Sequence, residues 1–317
     1  MPKSTENNFY AITSYFNPFH NADRTRNYTI FRQNLKLPLV TVEWAPDGIF
    51  ELTNDDADEI IQISGGDIIW QKERLLNIAL ESIPSTCEYL AWLDSDIIFS
   101  DPNWHERAIV LLEKYDFIQL FNKLNYLTKL ASESFSFDQL KLQPYHASNI
   151  SILEALEPNP NLYLTKEFND ASAFMGNGNP GMAFAAKFEV IKAHQFYDKN
   201  IVGGGDTILI ASILNKLADI FTCRPFSPMH RSDIQNYGDK VSKEKYKATY
   251  LHETIYHLWH GELLKRQYAS RYNILIKHNY DPTDHITYQP NMPLSWKNAP
   301  EGLKQDLYQY MYSRENR

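Results

Sequence analysis

The sequence predicts an α/β protein in a single domain, built on a mostly parallel central sheet flanked by helices. Over the first 120 residues, short apolar runs of strand type alternate with segments whose apolar residues recur at helical spacing, the pattern of parallel strands joined by crossover helices. The chain has 317 residues, of which 43% are hydrophobic, enough to bury one large core. Neither an internal repeat nor a low-complexity linker divides it, and only Pro- and Asn-rich punctuation near residues 157–161 and 176–180 interrupts the pattern.

Residues 9–14 read as the first strand, ending in the loop Asn17-Pro18, and residues 24–35 as a helix. Residues 39–44 form a short apolar run of the buried-strand kind, broken by Pro46-Asp47-Gly48, and residues 59–63 a third strand. Leu75, Leu76, Ala79, Leu80 and Ile83 give residues 69–83 helical spacing, and Pro84 stops the helix. A strand over 89–93 follows. Asp101-Pro102 then supplies an N-cap and a first-turn proline for a helix ending near Lys114. Residues 122–169 are less regular, with a short helix near 150–156. Beyond them the pattern gives a strand at 181–186, helices at 188–194 and 207–217, a strand ending at 256–259, and one long helix over 263–278. The stretch after Tyr280 is polar, rich in Pro and Tyr, and expected to wrap the domain.

Composition narrows the function classes. Lys and Arg number 31 against 39 Asp and Glu, a formal charge of −8, so no global attraction to nucleic acid or anionic lipid is expected, although a local basic patch is compatible with it. Cys87 and Cys223 are too far apart in sequence for a local metal knuckle and read as reduced, buried thiols. The first eight residues lack a secretory signal, and no run approaches ~18 apolar residues, so a soluble, cytoplasmic protein with no transmembrane segment is expected. P-loop, GxGxxG and GxSxG patterns are absent, which removes support from kinase-like, dinucleotide and serine-hydrolase readings.

Three motifs carry chemistry. In Trp92-Leu93-Asp94-Ser95-Asp96-Ile97, an apolar strand delivers two carboxylates at its C-terminal end, where open α/β sheets bind ligands. Asp94 and Asp96 can meet a hard cation that neutralises a diphosphate; the plainer alternative is a pair of turn-capping acids. Gly203-Gly204-Gly205-Asp206 opens an apolar helix: glycines admit a close ligand, and Asp206 is either an N-cap or a general base. His257-Leu258-Trp259-His260-Gly261 offers two imidazoles, of which one is expected at a metal, against a structural role beside Trp259. Lys72 and Asn77, on the helix after the Gly65-Gly66-Asp67 turn, face either phosphate and base or solvent. Glu43, at the end of the second strand, is either an acceptor for a nucleobase or ribose or an ordinary strand-end carboxylate.

Taken in order, these pieces resemble a bacterial and phage group of inverting glycosyltransferases with the GT-A (Rossmann-like) fold. The resemblance rests on Ile12-Thr13-Ser14 with Asn17-Pro18, Trp70-Gln71-Lys72-Glu73 with Asn77, the Asp94-Ser95-Asp96 motif, Asn179-Pro180-Gly181, Gly203-Gly204-Gly205-Asp206 and the His257-to-Gly261 element, and covers residues 9–284. Arg266, Tyr268 and Arg271, followed by Tyr280-Asp281-Pro282, fit the same pattern. The resemblance implies a nucleotide-sugar donor, most often a uridine diphosphate (UDP) sugar, contacted by Thr13, Ser14, Glu43, Lys72, Asn77, Asp94, Ser95, Gly204 and Gly205. It implies Mn²⁺ or Mg²⁺ on Asp94 and Asp96, completed by His257 or His260, and Asp206 as the base that deprotonates the acceptor hydroxyl. Residues 1–121 would form the nucleotide-sugar half, 122–175 a variable or inserted segment, 176–285 the acceptor and catalytic half, and 286–317 a C-terminal tail. One departure is that Thr207, rather than a second acid, follows Asp206.

Polysaccharide, lipid-linked glycan, protein and nucleic acid acceptors all fit this reading, nucleic acid least because of the net acidity. Two alternatives compete. A nucleotidyltransferase making an activated sugar also sets carboxylates and a metal on a parallel sheet, but wants a basic Gly-rich loop that Ser14-Tyr15-Phe16-Asn17 does not provide. A carbohydrate-binding relative without activity would keep the fold while tolerating loss of the acids at 94, 96 and 206.

Overall fold

The computed structural model describes residues 8–140, 145–162, 164, 177–268 and 270–315. Its centre is a seven-stranded sheet. Strands β1 (Phe9–Phe16), β2 (Leu39–Ala45), β3 (Glu59–Ser64) and β4 (Tyr89–Leu93) are the four expected near the N-terminus, and they pair in parallel in the order β4-β1-β2-β3. A second, four-stranded sheet begins with β5 (Ile97–Phe99), immediately after the Asp94-Ser95-Asp96 turn. β6 (Phe117–Gln119) returns to the central sheet, whereas β7 (Lys123–Tyr126) and β8 (Ala147–Ile150) join the second. β9 (Ala183–Lys187) inserts antiparallel between β4 and β6, and β10 (Ala248–Tyr250) closes the central edge beside β6. β11 (Thr254–His257) lies between β5 and β7, giving the second sheet the order β5-β11-β7-β8. A two-stranded ribbon pairs Ile286–Thr287 with Ser295–Trp296. The protein is thus a mixed α/β domain whose central sheet is mostly parallel and flanked by helices.

Helices cover the central sheet because their apolar residues need a partner face. Ala22–Gln33, Lys72–Leu80 and Gly205–Ile213 are the ones that matter for the site. All nine residues of Lys72–Leu80 are buried, including Lys72, Glu73 and Arg74, so this helix is enclosed rather than solvated on its polar face. Trp92 of β4 sits between Phe117, Phe184 and Phe196 at ring separations of 5.5, 5.5 and 5.3 Å, which anchors the strand whose end carries Asp94.

Three local readings need correction. The long helix over 263–278 is a 3₁₀ turn, Leu263–Arg266, followed by the short helix Tyr272–Lys277, because Gln267 takes a left-handed φ of 49° that no α-helix continues through. The helix after Asp101-Pro102 begins at Trp104 with Asn103 as its cap, since the Asp101 carboxylate accepts from the Asn103 N–H and closes a turn first. After Tyr280 the chain does pack back on the domain, and it does so largely as the 15-residue helix Glu301–Glu315, with Leu303, Leu307, Tyr310, Met311 and Arg314 buried. The variable segment expected over 122–175 lies partly outside the described residues.

Candidate active site

Register brings the distant motifs together. β5 runs antiparallel to β11 with Ile97 opposite His257, and the Leu258 N–H donates to the Asp96 carbonyl at 2.8 Å. Asp96 is therefore fixed beside the end of β11, and the turn through Trp259 to His260 folds the second imidazole back onto it. His260 Nε2 lies 2.9 Å from one carboxylate oxygen of Asp96, and His257 Nε2 3.6 Å from the other. One ligand atom from each of the three residues falls within 4.8 Å of the others. The sequence reading expected one histidine here; strand pairing supplies both.

The chemistry of this triad fits a divalent cation. Asp96 Oδ1 is buried without a hydrogen-bond partner, a costly state for a carboxylate oxygen. Burial pushes the His257 and His260 imidazoles down, to about 3 and 4, which keeps them neutral with a lone pair to give. Burial acts on Asp96 in the opposite sense, but its neighbours His257, His260 and Arg266 outweigh it and hold the carboxyl below its usual range. Arg266 Nη2 reaches to 2.5 Å from the same His260 Nε2 that faces Asp96. One imidazole nitrogen cannot accept from Arg266 and donate to Asp96 at once, so His260 Nε2 satisfies at most one of these two contacts.

Asp94 takes a different partner. Lys72 Nζ lies 2.5 Å from Asp94 Oδ1 and 2.7 Å from Asp206 Oδ2, so one ammonium bridges the first acid of the Asp94-Ser95-Asp96 turn and the acid after the glycines. Burial works against that ammonium, but Asp206 and Asp94 outweigh it and keep Lys72 charged. Burial also pushes the Asp94 carboxyl up, to about 6, against the pull of Lys72. The bridge places Asp206 close to Asp94 in the cleft that also holds the triad, at the first turn of Gly205–Ile213, with its Oδ2 3.2 Å from where a Cβ on Gly181 would sit.

The predicted residues separate into two groups. Ser14, Lys72, Asp94, Ser95, Asp96, Gly204, Asp206, His257 and His260 line one cleft. Thr13, Glu43, Asn77 and Gly205 are buried behind it. Thr13 donates to the Leu93 carbonyl at 2.7 Å and steadies the end of β4. The Glu43 carboxylate, opposite Gln62 in the β2–β3 register, accepts from Gln62 and from the backbone of Glu51 and Leu52, so its oxygens are occupied within the fold. Asn77 holds the Phe196 backbone with both ends of its amide, at 2.9 and 2.8 Å. Gly205 is a glycine for packing, since a Cβ there would collide with the buried Glu73 carboxylate.

Among the cationic residues of the cleft, sequence reasoning singled out Lys72, Arg266 and Arg271 and missed Arg24, Arg224 and Arg314. Arg24, Lys72, Arg224, Arg266, Arg271 and Arg314 line the cleft against the three carboxylates Asp94, Asp96 and Asp206, an electropositive site in an acidic chain. Arg24 is held in a two-pronged pair with Glu315 at 2.8 and 2.5 Å, which ties the first helix to the C-terminal one. The six come from five separate stretches, and no local spacing announces Arg24, Arg224 or Arg314.

No protein-family model matches the chain, and no curated protein sequence matches it. Among solved structures, it is similar to the mannosyltransferase PcManGT from Pyrobaculum calidifontis in complex with GDP-Man and Mn²⁺ (11% identity, 96% of this chain and 69% of that one, TM-score 0.38). It is also similar to S. aureus TarS 1–349 in complex with UDP-GlcNAc (9% identity, 82% of this chain but 61% of that one, TM-score 0.41). A third likeness is to 4-diphosphocytidyl-2C-methyl-D-erythritol synthase from Anaerococcus prevotii (12% identity, 77% and 86% covered, TM-score 0.33). The chain spans less than two thirds of the TarS fragment. At these scores the likenesses carry no argument about function, which rests on the site. Among the described residues no helix is long and apolar enough to cross a membrane.

Proposed function

We propose that this protein is a metal-dependent inverting glycosyltransferase that moves a sugar from a nucleotide sugar, a UDP-sugar foremost, to an acceptor hydroxyl. The observation that carries the reading is the Asp96–His257–His260 triad with its orphaned carboxylate oxygen, set in a cationic cleft that Asp206 also lines. Asp96, His257 and His260 would hold the cation, and two imidazoles with one carboxylate suit Mn²⁺ better than Mg²⁺. When bound, that ion supplies charge compensation for the departing diphosphate.

This chain's own residues account for the rest. Arg266, freed from His260, meets the phosphate oxygens bidentately from the triad side. Asp206 accepts the acceptor's hydroxyl proton while the new bond forms from that oxygen to the anomeric carbon and the bond to the diphosphate breaks. Lys72 keeps Asp206 oriented and, by sharing itself with Asp94, couples the base to the turn that carries Asp96. Asp94 is thereby a positioning residue rather than a member of the triad. A nucleotidyltransferase would instead release pyrophosphate from a nucleoside triphosphate, and a binding protein would release nothing. Incubation with Mn²⁺ and a panel of nucleotide sugars, and in parallel with nucleoside triphosphates and sugar phosphates, decides among these: transfer or donor hydrolysis in the first supports the proposal, and pyrophosphate release in the second, or binding without turnover, refutes it.

A further inference from the structure

We propose that Asn27 is a further member of the cation site, its side-chain Oδ1 holding a water molecule on the ion that Asp96, His257 and His260 bind. The inference rests on the reading that a cation sits on that triad, and not on the transfer reaction. Asn27 lies inside the helix Ala22–Gln33, is 1% exposed, and belongs to none of the motifs singled out in the sequence.

The orientation of its amide is fixed by one contact. Nδ2 donates to the Trp259 carbonyl at 3.0 Å, in the turn that carries His260. A carbonyl accepts only from the NH₂ end of an amide, so Oδ1 is the end left over. This oxygen is buried and accepts no hydrogen bond among the described residues. Anchoring Trp259 therefore uses half of the side chain and strands the other half, a costly state for a polar atom.

Asn27 shares a recess of about 30 Å³ with Ser14, Ser95, Asp96 and His260. Those four also line the main cleft and Asn27 does not, so the recess branches from the cleft beside the triad. Tyr15 and Arg24 line it too, but Tyr15 is committed to Glu51, Thr25 and Asn17, and Arg24 to Glu315. Asn27 Oδ1 and Asp96 Oδ1 are thus two buried acceptors without a hydrogen bond around one small space.

The chemistry of that space selects its occupant. An amide oxygen only accepts, so a phosphate oxygen, itself an acceptor, has nothing to give it. A cavity needs roughly 10–15 Å³ and two to four polar partners to keep a water, which this recess offers, and it is far too small for a sugar or a base. Water is among the ligands that Mn²⁺ takes readily. On a divalent cation its oxygen is committed to the metal, and its hydrogens become stronger donors. Oδ1 accepts one of them.

The test is Mn²⁺ binding by the whole chain, without nucleotide, read from loss of the free ion's electron paramagnetic resonance signal. Asn27→Ala removes both ends of the amide, whereas Asn27→Asp keeps the oxygen and removes the donor to Trp259. Asn27→Ala should weaken Mn²⁺ binding roughly 10–100-fold, the usual effect of losing an outer partner of a metal site, while Asn27→Asp binds at least as tightly as wild type. A role in anchoring the His260 turn alone predicts otherwise, because Asn27→Asp has no hydrogen for the Trp259 carbonyl and would fail alongside Asn27→Ala. The proposal is overturned if the two variants weaken together, or if Asn27→Ala binds like wild type. Thermal melting of the metal-free proteins reports folding; should Asn27→Ala not fold, a tenfold loss in Asn27→Asp overturns the proposal and wild-type affinity there supports it. If wild type binds no Mn²⁺, or binds it equally after Asp96→Asn, the triad is not the cation site and the proposed function falls together with this inference. If Asp96→Asn abolishes binding and Asn27→Ala leaves it intact, the part given to Asn27 falls by itself.

Discussion

Replacing Asp96 with Asn removes one negative charge from the triad and little else, because the two side chains have the same shape. The ligand atoms of Asp96, His257 and His260 lie within 4.8 Å of one another, and Asp96 supplies the only charge among them. For a unit charge pair at about 4 Å, with an effective dielectric near 20, the interaction is worth about 4 kcal/mol. Since 1.4 kcal/mol is tenfold, Asp96→Asn should weaken Mn²⁺-dependent binding of UDP on the order of 10²–10³-fold. Binding of UDP without metal should be unchanged or slightly tighter, because the carboxylate otherwise repels the diphosphate. Calorimetry with and without Mn²⁺, on wild type and variant, gives four affinities and hence the metal-dependent gain of each. An equal gain in both proteins would refute the placement of the cation at Asp96.

Other expectations follow from the same geometry. Asp206→Asn should leave UDP and Mn²⁺ affinity near wild type and lower kcat by roughly 10²–10⁴-fold, the usual worth of a general base; undiminished turnover would remove Asp206 from the mechanism. Burial pushes the Glu73 carboxyl up, to about 7 from an ordinary 4.5, with Asp206 adding to the effect. The folded chain thus holds this proton more tightly than the unfolded one, so stability from this group is present below about pH 4.5 and lost as pH rises through 7. Glu73→Gln should flatten that stretch of the stability profile and raise the melting temperature at pH 8; parallel melting curves for the two proteins would contradict it. Gly205→Ala should destabilise the fold by about 1–3 kcal/mol in urea denaturation, because the added methyl meets the buried Glu73; a change under about 0.5 kcal/mol would show that Glu73 can move aside.

What could be seen in the sequence is what the chain writes locally. The four N-terminal strands, the Asp94-Ser95-Asp96 turn at the tip of β4 and the glycines ahead of Asp206 are each contained in a short window, and each occupies the kind of position expected of it. Partnership was less visible. That both His257 and His260 reach Asp96 depends on the antiparallel register of β5 on β11, across some 160 residues of sequence. That Asp94 is taken by Lys72 depends on the enclosure of a helix whose charged residues look solvated in a linear reading. Glu43 and Asn77 stand at plausible spacings, but their side chains turn toward Gln62 and Phe196, a direction the pattern of residue types does not encode. The arginines were hardest to read, because the charge at the cleft is a sum over elements that become neighbours only on folding.

The pair between Arg24 and Glu315 joins residues 291 apart. Contacts of such range form late, since the loop they close carries a large entropic cost before any reward. A chain emerging from the ribosome can complete β1 through β4 and their helices long before Glu315 exists. The first helix and the helix Glu301–Glu315, which that pair joins, therefore stay unlatched until residue 315 has been made.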